Sequence, residues 1–268
     1  MTMLPILMYH GLHADERAQG RFDPVYSVHP DAFARQLDWL LAQGWTSVSL
    51  DQAGIGQMLP PTARQVVITF DDGDVSNVEV ALPLLAERGM CAEFFITSGF
   101  IDQPGMVSTA DVRTLADAGM GIGSHGASHA FLEDLGADAL DAELRESRQR
   151  LLDASGRDIT ALALPGGRGG DRERRVATAM GYRHLLGSVP GPNQPPRPGQ
   201  WLQRVAVTRD MDETRFAALV AWKGLRPRLA LAVGQVLAQI GVVGLQQAAV
   251  AAGQPAAQQA QVGLVGGQ

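Results

Sequence analysis

Residues 66–73 read VVITFDDG, and this stretch decides the expected fold of the chain. Residues 66–69 are apolar or β-branched without helical periodicity, which is typical of a strand buried on both faces of a parallel sheet. Two adjacent carboxylates, Asp71 and Asp72, follow the strand, and like charges there are unfavourable unless a cation or another group compensates them. Neighbouring residues on a strand point in different directions, so one carboxylate can hold a metal while the other faces a substrate. A solvated turn is the alternative for DDG alone.

Strand-like and helix-like segments alternate on both sides of this stretch. Strands are predicted at residues 4–9, 46–50, 66–70, 91–97, 159–164, 184–188 and 204–208 and at the start of 119–129, and helices at 31–43, 76–88, 109–118, 137–154, 171–180 and 212–222. This alternation predicts βαβ units and a parallel sheet of about seven or eight strands. Because polar or glycine-rich sequence follows the strands, we expect an α/β barrel with its site at the carboxyl ends of the strands.

Composition narrows the class of protein. The 268 residues are 46% hydrophobic and 19% charged, which suits one large α/β domain or two small ones. The net charge of −6, without a basic stripe, argues against nucleic-acid binding. The single cysteine, Cys91, excludes an internal disulfide and a cysteine-rich zinc module, and we expect it to be a buried small hydrophobe. The opening MTMLPILMYHG shows no signal peptide, which predicts a cytoplasmic location.

The C-terminal part differs in composition from the rest. No charged residue occurs from Leu229 to Gln268, so we expect a catalytic domain over residues 1–222 and a separate tail over 223–268. The apolar start of the tail is too interrupted by glutamine for a membrane span. It is expected to pack on the barrel as a helix, or to make peripheral membrane contact through residues 222–240. The final stretch, rich in Ala, Gln and Gly, is expected to be disordered.

A second motif, SHGASH, occupies residues 124–129. His125 and His129 are four residues apart, a spacing that places two imidazoles on one face of a helical turn, where they can bind Zn²⁺ or a similar ion. This pair is a weak signal alone and a stronger one beside a strand that ends in two aspartates. Two neutral histidines and one carboxylate make an open catalytic site with room for water. The spare carboxylate can act as the base on that water.

The TFDDG and SHGASH motifs, about fifty residues apart, together resemble those of the polysaccharide deacetylases, carbohydrate esterase family 4. The resemblance covers roughly residues 4–210 and implies a distorted (β/α) barrel of about seven strands. It implies that Asp71 is the general base and that Asp72, His125 and His129 hold one divalent ion, Zn²⁺, with Co²⁺ or Ni²⁺ as alternatives. The implied reaction is hydrolysis of an N-acetyl amide, or an O-acetyl ester, on a sugar or polysaccharide, with the metal stabilising the oxyanion.

Two departures from the family pattern concern the base and the acid. The usual third motif, Arg-x-Pro, is ALPGG at residues 163–167, so its arginine is absent; Arg168 is a candidate substitute or a surface residue. The usual late Leu-x-His motif is also missing. The opening PILMYH resembles a circularly permuted branch, the poly-N-acetylglucosamine deacetylases of biofilm exopolysaccharide systems, in which the acid histidine lies on the opening strand. That resemblance implies His10 as the general acid, the alternative being a structural histidine, and on this reading the opening strand runs beside the central strand.

The expected function is therefore removal of N-acetyl groups from a sugar or polysaccharide in exopolysaccharide or glycolipid synthesis. A catalytically silent carbohydrate-binding scaffold is one alternative, favoured by the missing motif-three arginine. Retention of Asp71 and His10 speaks against it, because binding alone needs neither. A metal hydrolase of a small amide is the other alternative, since only 6% of residues are aromatic and could serve as sugar platforms.

Overall fold

The computed structural model describes residues 4–53, 64–191, 193 and 199–222. One sheet contains the strands β1 (Ile6–Tyr9), β2 (Thr46–Ser47), β3 (Gln65–Asp72), β4 (Glu93–Ile96), β5 (Gly121–Ser124), β6 (Ala161–Ala163), β7 (His184–Leu186), β8 (Trp201–Leu202) and β9 (Val205–Ala206). The helices are α1 (Pro30–Ala42), α2 (Leu82–Glu87), α3 (Thr109–Asp117), α4 (Ala137–Ser155), α5 (Asp171–Ala179) and α6 (Glu213–Val220), and a π-helical turn, Asn77–Ala81, precedes α2. Strands and helices alternate along much of the chain, as the sequence predicts.

The order of the strands explains the curvature of the sheet. The order is β8-β7-β6-β5-β4-β3-β1-β9, with β2 beside the start of β3, and neighbouring strands are parallel. The edge strands β8 and β9 are separated along the chain only by Gln203 and Arg204. A link of two residues spans only about 10 Å, so the sheet must curl until its two edges approach one another. The expected α/β barrel is therefore confirmed as a curled half-barrel, and β8 is the strand that the sequence pattern does not predict.

Side chains that alternate along the strands form two layers. On the face toward the helices, Phe70 of β3 stacks between Tyr9 of β1 and Phe94 of β4, at ring-centroid distances of 5.3 and 5.1 Å. The Tyr9 hydroxyl donates a hydrogen bond of 2.9 Å to Gln36 Oε1 on α1. On the opposite face, Phe95 belongs to a smaller buried cluster inside the curl. Because successive residues of a strand face opposite sides, the residue after Phe70 faces the inside of the curl.

Helix boundaries follow local sequence signals. Pro30 occupies the first turn of α1, where its missing N–H is not needed. Ser108 and Asp111 form a capping box at the start of α3. Helix α4 ends at Gly156, whose φ of 68° is in the left-handed region that glycine adopts without strain.

Residues 223–268, including nearly all of the segment expected to contact a membrane, lie outside the described residues. Among the residues that are described, none of the helices is both long enough and apolar enough to cross a bilayer.

Candidate functional site

The carboxyl ends of three neighbouring strands bring the two sequence motifs together. Asp72 ends β3, and it pairs in register with Ile96 of β4, which pairs with Ser124 of β5. His125 follows β5 directly, and its backbone N–H donates a hydrogen bond of 3.0 Å to the Ile96 carbonyl. His129 ends the following loop with a φ of 66°, and Gly126 in that loop has a φ of 79°, so residues 125–129 form an irregular bend and not the helical turn that the spacing predicts. The parallel register thus delivers both histidines to the end of β3.

The side chains of Asp72, His125 and His129 converge on one point. Asp72 Oδ1 lies 3.4 Å from His125 Nε2 and 3.3 Å from His129 Nε2, and one potential ligand atom from each of the three side chains lies within 4.8 Å of the others. A tetrahedral ion with ligands at about 2.0–2.1 Å separates neighbouring donors by about 3.3–3.4 Å. Asp72 Oδ1 is buried and accepts no hydrogen bond from the described part of the chain. These donors therefore fit a divalent metal ion.

The His125 ring is held in the orientation that a metal ligand needs. Its Nδ1 lies 2.9 Å from the Ala163 carbonyl oxygen, which can only accept, so Nδ1 carries the proton and Nε2 keeps its lone pair. Burial lowers the pKa of His125 to about 4, although the carboxylates of Asp71 and Asp72 act in the opposite direction. The neutral imidazole is the form that binds a metal.

A carboxylate on α4 holds the turn that carries His129. Glu143 accepts hydrogen bonds from the Ser128 backbone N–H (2.7 Å) and hydroxyl (3.0 Å). The His129 ring stacks on Phe100 with centroids 6.1 Å apart. Burial lowers the pKa of His129, but its pairing with Asp72 outweighs burial and the net shift is upward. Glu143 was not singled out from the sequence, although it stands in the mainly apolar stripe of α4.

A buried arginine fixes the first carboxylate of the DDG motif. Arg204 Nη1 and Nη2 donate hydrogen bonds of 2.6 and 2.7 Å to the two oxygens of Asp71. Arg204 also donates to the Gly187 carbonyl (2.8 Å) and to Thr69 Oγ1 (3.2 Å), and it is fully buried. Burial raises the pKa of Asp71, but Arg204 and then His125, whose Nε2 is 4.0 Å away, bring it below its usual value. Asp71 is therefore an ionised carboxylate beside the metal-ligand cluster.

Arg168, the substitute considered from the sequence, does not contact this carboxylate. Its exposed guanidinium pairs with Glu133 and Asp134 and lies over the Phe131 ring at 4.5 Å. The residue that contacts the base candidate is Arg204, in the link between the two edge strands. The available signal was an arginine at the start of an otherwise apolar strand, a position where charge is rare unless paired.

His10 lies beside the two aspartates. It follows β1, whose Tyr9 pairs in register with Phe70 of β3, so the opening strand runs beside the central strand as expected. Burial raises the pKa of both Asp71 and Asp72, and attraction to His10 is among the contributions that bring each net shift below the usual value. The acid candidate and the base candidate therefore occupy the same end of the sheet.

The surroundings of His10 leave one ring nitrogen unbonded. The ring packs on Tyr26 with centroids 4.7 Å apart, and the His10 carbonyl accepts a hydrogen bond of 3.0 Å from Asn77 Nδ2. Within the described residues, the buried His10 Nδ1 has no hydrogen-bond partner. The ring is thus positioned by its packing on Tyr26.

Comparison with known proteins places these features in a family. The family model for polysaccharide deacetylases matches residues 59–185. YxkH of Bacillus subtilis (strain 168), whose name assigns it to the polysaccharide deacetylases, is 26% identical over 219 residues, which are 81% of this chain and 76% of YxkH.

Two solved structures show the same fold. The deacetylase PplD of Streptococcus pyogenes, in complex with acetate, is 23% identical with a TM-score of 0.73, and the match covers 82% of this chain and 98% of PplD. A de-N-acetylase from Aggregatibacter actinomycetemcomitans is 18% identical with a TM-score of 0.69, over 81% of this chain and 100% of that one. The family match and the shared fold agree: residues 59–185 of this chain match a polysaccharide deacetylase domain, and the chain has the fold of solved deacetylases.

Proposed function

We propose that this protein is a metal-dependent hydrolase that removes N-acetyl groups from a sugar or polysaccharide in exopolysaccharide or glycolipid synthesis. The observation that carries the proposal is the convergence of Asp72, His125 and His129 on one point beside the ionised Asp71. These three side chains would hold one divalent ion, Zn²⁺ or alternatively Co²⁺ or Ni²⁺. When bound, the ion would supply Lewis acidity to the acetyl carbonyl oxygen and lower the pKa of the attacking water.

Asp71 is the proposed general base. Arg204 occupies one lone pair on each carboxylate oxygen, and a carboxylate offers about four acceptor sites, so Asp71 can still accept a proton from water. The bidentate pairing fixes the carboxylate plane, and the lowered pKa keeps the group ionised. Arg204 is therefore a positioning residue for the base.

His10 is the proposed general acid. Hydrolysis of an amide requires a proton on the departing nitrogen, and a positioned imidazole is the usual donor near neutral pH. His10 reaches the site from the first strand, and Arg204 reaches it from the link before the last strand, which pairs with β1. Convergence of the two ends of the domain supports the permuted branch. The name of the Aggregatibacter relative, a de-N-acetylase, supports the amide over the ester.

The direct test is acetate release from chitooligosaccharides and poly-N-acetylglucosamine, with chelator and after return of Zn²⁺, Co²⁺ or Ni²⁺. We expect metal-dependent release, and we expect Asp71→Asn to retain the metal while losing about 10²–10⁴-fold in rate. Absence of release from every acetylated sugar by the metal-loaded protein would favour the silent scaffold. Release from small amides alone would favour a metal hydrolase of a small amide substrate.

A further inference from the structure

Arg21 lies at the mouth of the candidate site, on the loop between β1 and α1. Its guanidinium carbon is 4.4 Å from the centre of the Phe100 ring, and that ring stacks on the metal-ligand candidate His129. Arg21 Nη2 donates a hydrogen bond of 3.0 Å to Gln103 Oε1. The exposed guanidinium is thereby linked to the candidate site through Phe100, which lies between Arg21 and His129.

The backbone of Arg21 is fixed by a buried polar cluster. Its N–H donates a hydrogen bond of 2.6 Å to Asp74 Oδ2, and Asp74 Oδ1 lies 3.3 Å from the buried His13. Gly20 has a φ of 114°, and a Cβ there would overlap His13 and Asp74. A Cβ on Gly105 would come within 3.2 Å of the Gly20 backbone, so the glycines allow two site loops to touch. These contacts therefore fix the backbone position from which the Arg21 side chain extends.

Arg21 carries a charge that no carboxylate in the described residues neutralises. Surface arginines such as Arg88, Arg145 and Arg215 lie within salt-bridge distance of a carboxylate. Arg21, like Arg17 and Arg35, has no carboxylate at that distance within the described chain, and its one side-chain hydrogen bond there goes to the neutral amide of Gln103. A guanidinium stacked on an aromatic ring keeps its in-plane donors, and here Nε, Nη1 and the second N–H of Nη2 remain available, so that Nη2 can still complete a two-donor edge with one of its neighbours. That fork matches a carboxylate or a phosphate.

We propose that Arg21 is a specificity-determining residue that binds an anionic group of the substrate, a carboxylate or a phosphate carried next to the acetylated sugar. The preferred substrate is then an acidic acetylated glycan or a sugar phosphate, which an otherwise acidic protein of net charge −6 would attract poorly without such a site. This inference rests on the sugar deacetylase function proposed above.

The test measures equilibrium binding, so that it does not depend on turnover. Asp71→Asn and Asp71→Asn with Arg21→Gln, both loaded with Zn²⁺, are titrated calorimetrically at low salt with three ligands. The ligands are N-acetylglucosamine 1-phosphate, a tetrasaccharide of alternating N-acetylglucosamine and glucuronic acid, and neutral tetra-N-acetylchitotetraose. The first two distinguish phosphate from carboxylate, and the third reports contacts that are independent of charge.

We expect Arg21→Gln to raise the Kd of at least one anionic ligand about 5-fold and to leave the neutral ligand unchanged. Added salt should weaken the anionic ligand in the parent protein and not in the variant. Arg17→Gln, an exposed arginine on the same loop, should change nothing, and Arg21→Lys should retain part of the preference. Equal weakening of all three ligands would show that Arg21 only clamps the loops, and unchanged binding of both anions would also overturn the proposal. Failure of the deacetylase function alone would appear as charge-dependent binding in these titrations together with no acetate release from the same ligands by the Zn²⁺-loaded protein in which Asp71 is intact.

Discussion

Replacing Arg204 with Met should expose how strongly the curled sheet depends on one buried ion pair. Arg204 is 0% exposed and Asp71 is 2% exposed, and their two hydrogen bonds measure 2.6 and 2.7 Å. Removing one partner of such a pair costs about 3–5 kcal/mol, because the other charge is left in a medium of low polarity. We expect Arg204→Met to lose that much free energy of unfolding at pH 7.

The assay is urea unfolding of the metal-free protein, followed by circular dichroism, for Arg204→Met, Asp71→Asn and the double variant. The double variant should lose at least about 1.5 kcal/mol less than the sum of the single losses, because neither charge then remains unpaired. Additive losses, or a cost below about 1 kcal/mol for Arg204→Met, would refute the idea that the pair is coupled.

The pH dependence of stability supplies a second readout. The folded pKa of Asp71 is depressed, so its contribution to stability is present above the unfolded value of about 3.9 and is lost as the pH falls through the folded pKa. In Arg204→Met, burial without the guanidinium should raise the pKa of Asp71. The free energy of unfolding of the variant should then decrease as the pH rises above about 4, whereas in the parent protein the gain from this carboxylate is complete by about that pH and its contribution stays level above it.

Three further predictions address the metal, the acid and the barrel interior. His125→Ala should lose most bound metal after dialysis, measured by mass spectrometry, because one of three protein ligands is gone; full occupancy in both His125→Ala and His129→Ala would contradict the site. His10→Ala should keep the metal and lose about 10²–10⁴-fold in amide hydrolysis, yet lose much less with an activated ester, whose leaving group needs no proton. An equal loss on both substrates would remove His10 from the acid role. Glu93 has a pKa raised to about 7 by burial, so the free energy of unfolding should fall by up to about 3 kcal/mol between pH 4.5 and 7 as the folded state resists ionising it. Glu93→Gln should flatten that slope in urea titrations, and an unchanged slope would show that Glu93 is not its source.

The residues that sequence patterns located are those whose geometry is set locally. Asp72 stands at a strand end, and His125 and His129 belong to one short turn, so the parallel order of β3, β4 and β5 was enough to predict their meeting. The resemblance to the permuted branch implies an opening strand beside the central strand, and the register of β1 with β3 confirms that position. The positions of strand ends in the sequence are therefore enough to predict that Asp72, His125 and His129 lie close together.

The partner of the base could not be located in the same way. Arg204 lies 133 residues from Asp71, and their contact depends on how far the sheet curls, which no local pattern encodes. Strand β8 is not predicted because Trp201 and Leu202 stand between a proline-rich stretch and two polar residues, so no longer apolar or alternating run marks them. The π-helical turn Asn77–Ala81 falls within the helix predicted over residues 76–88. A π-helix differs from an α-helix in its hydrogen bonding, which the residue pattern does not show.

The position of Arg204 between the two edge strands also has a consequence during protein synthesis. The aspartates and both histidines leave the ribosome well before Arg204, so a growing chain can carry every metal-ligand candidate while Asp71 still lacks its guanidinium partner. The base can be aligned only after the last strand docks beside the first, a step that closes a long loop and is slow for parallel pairing. Under the proposed function, alignment of the base is thus tied to completion of the domain.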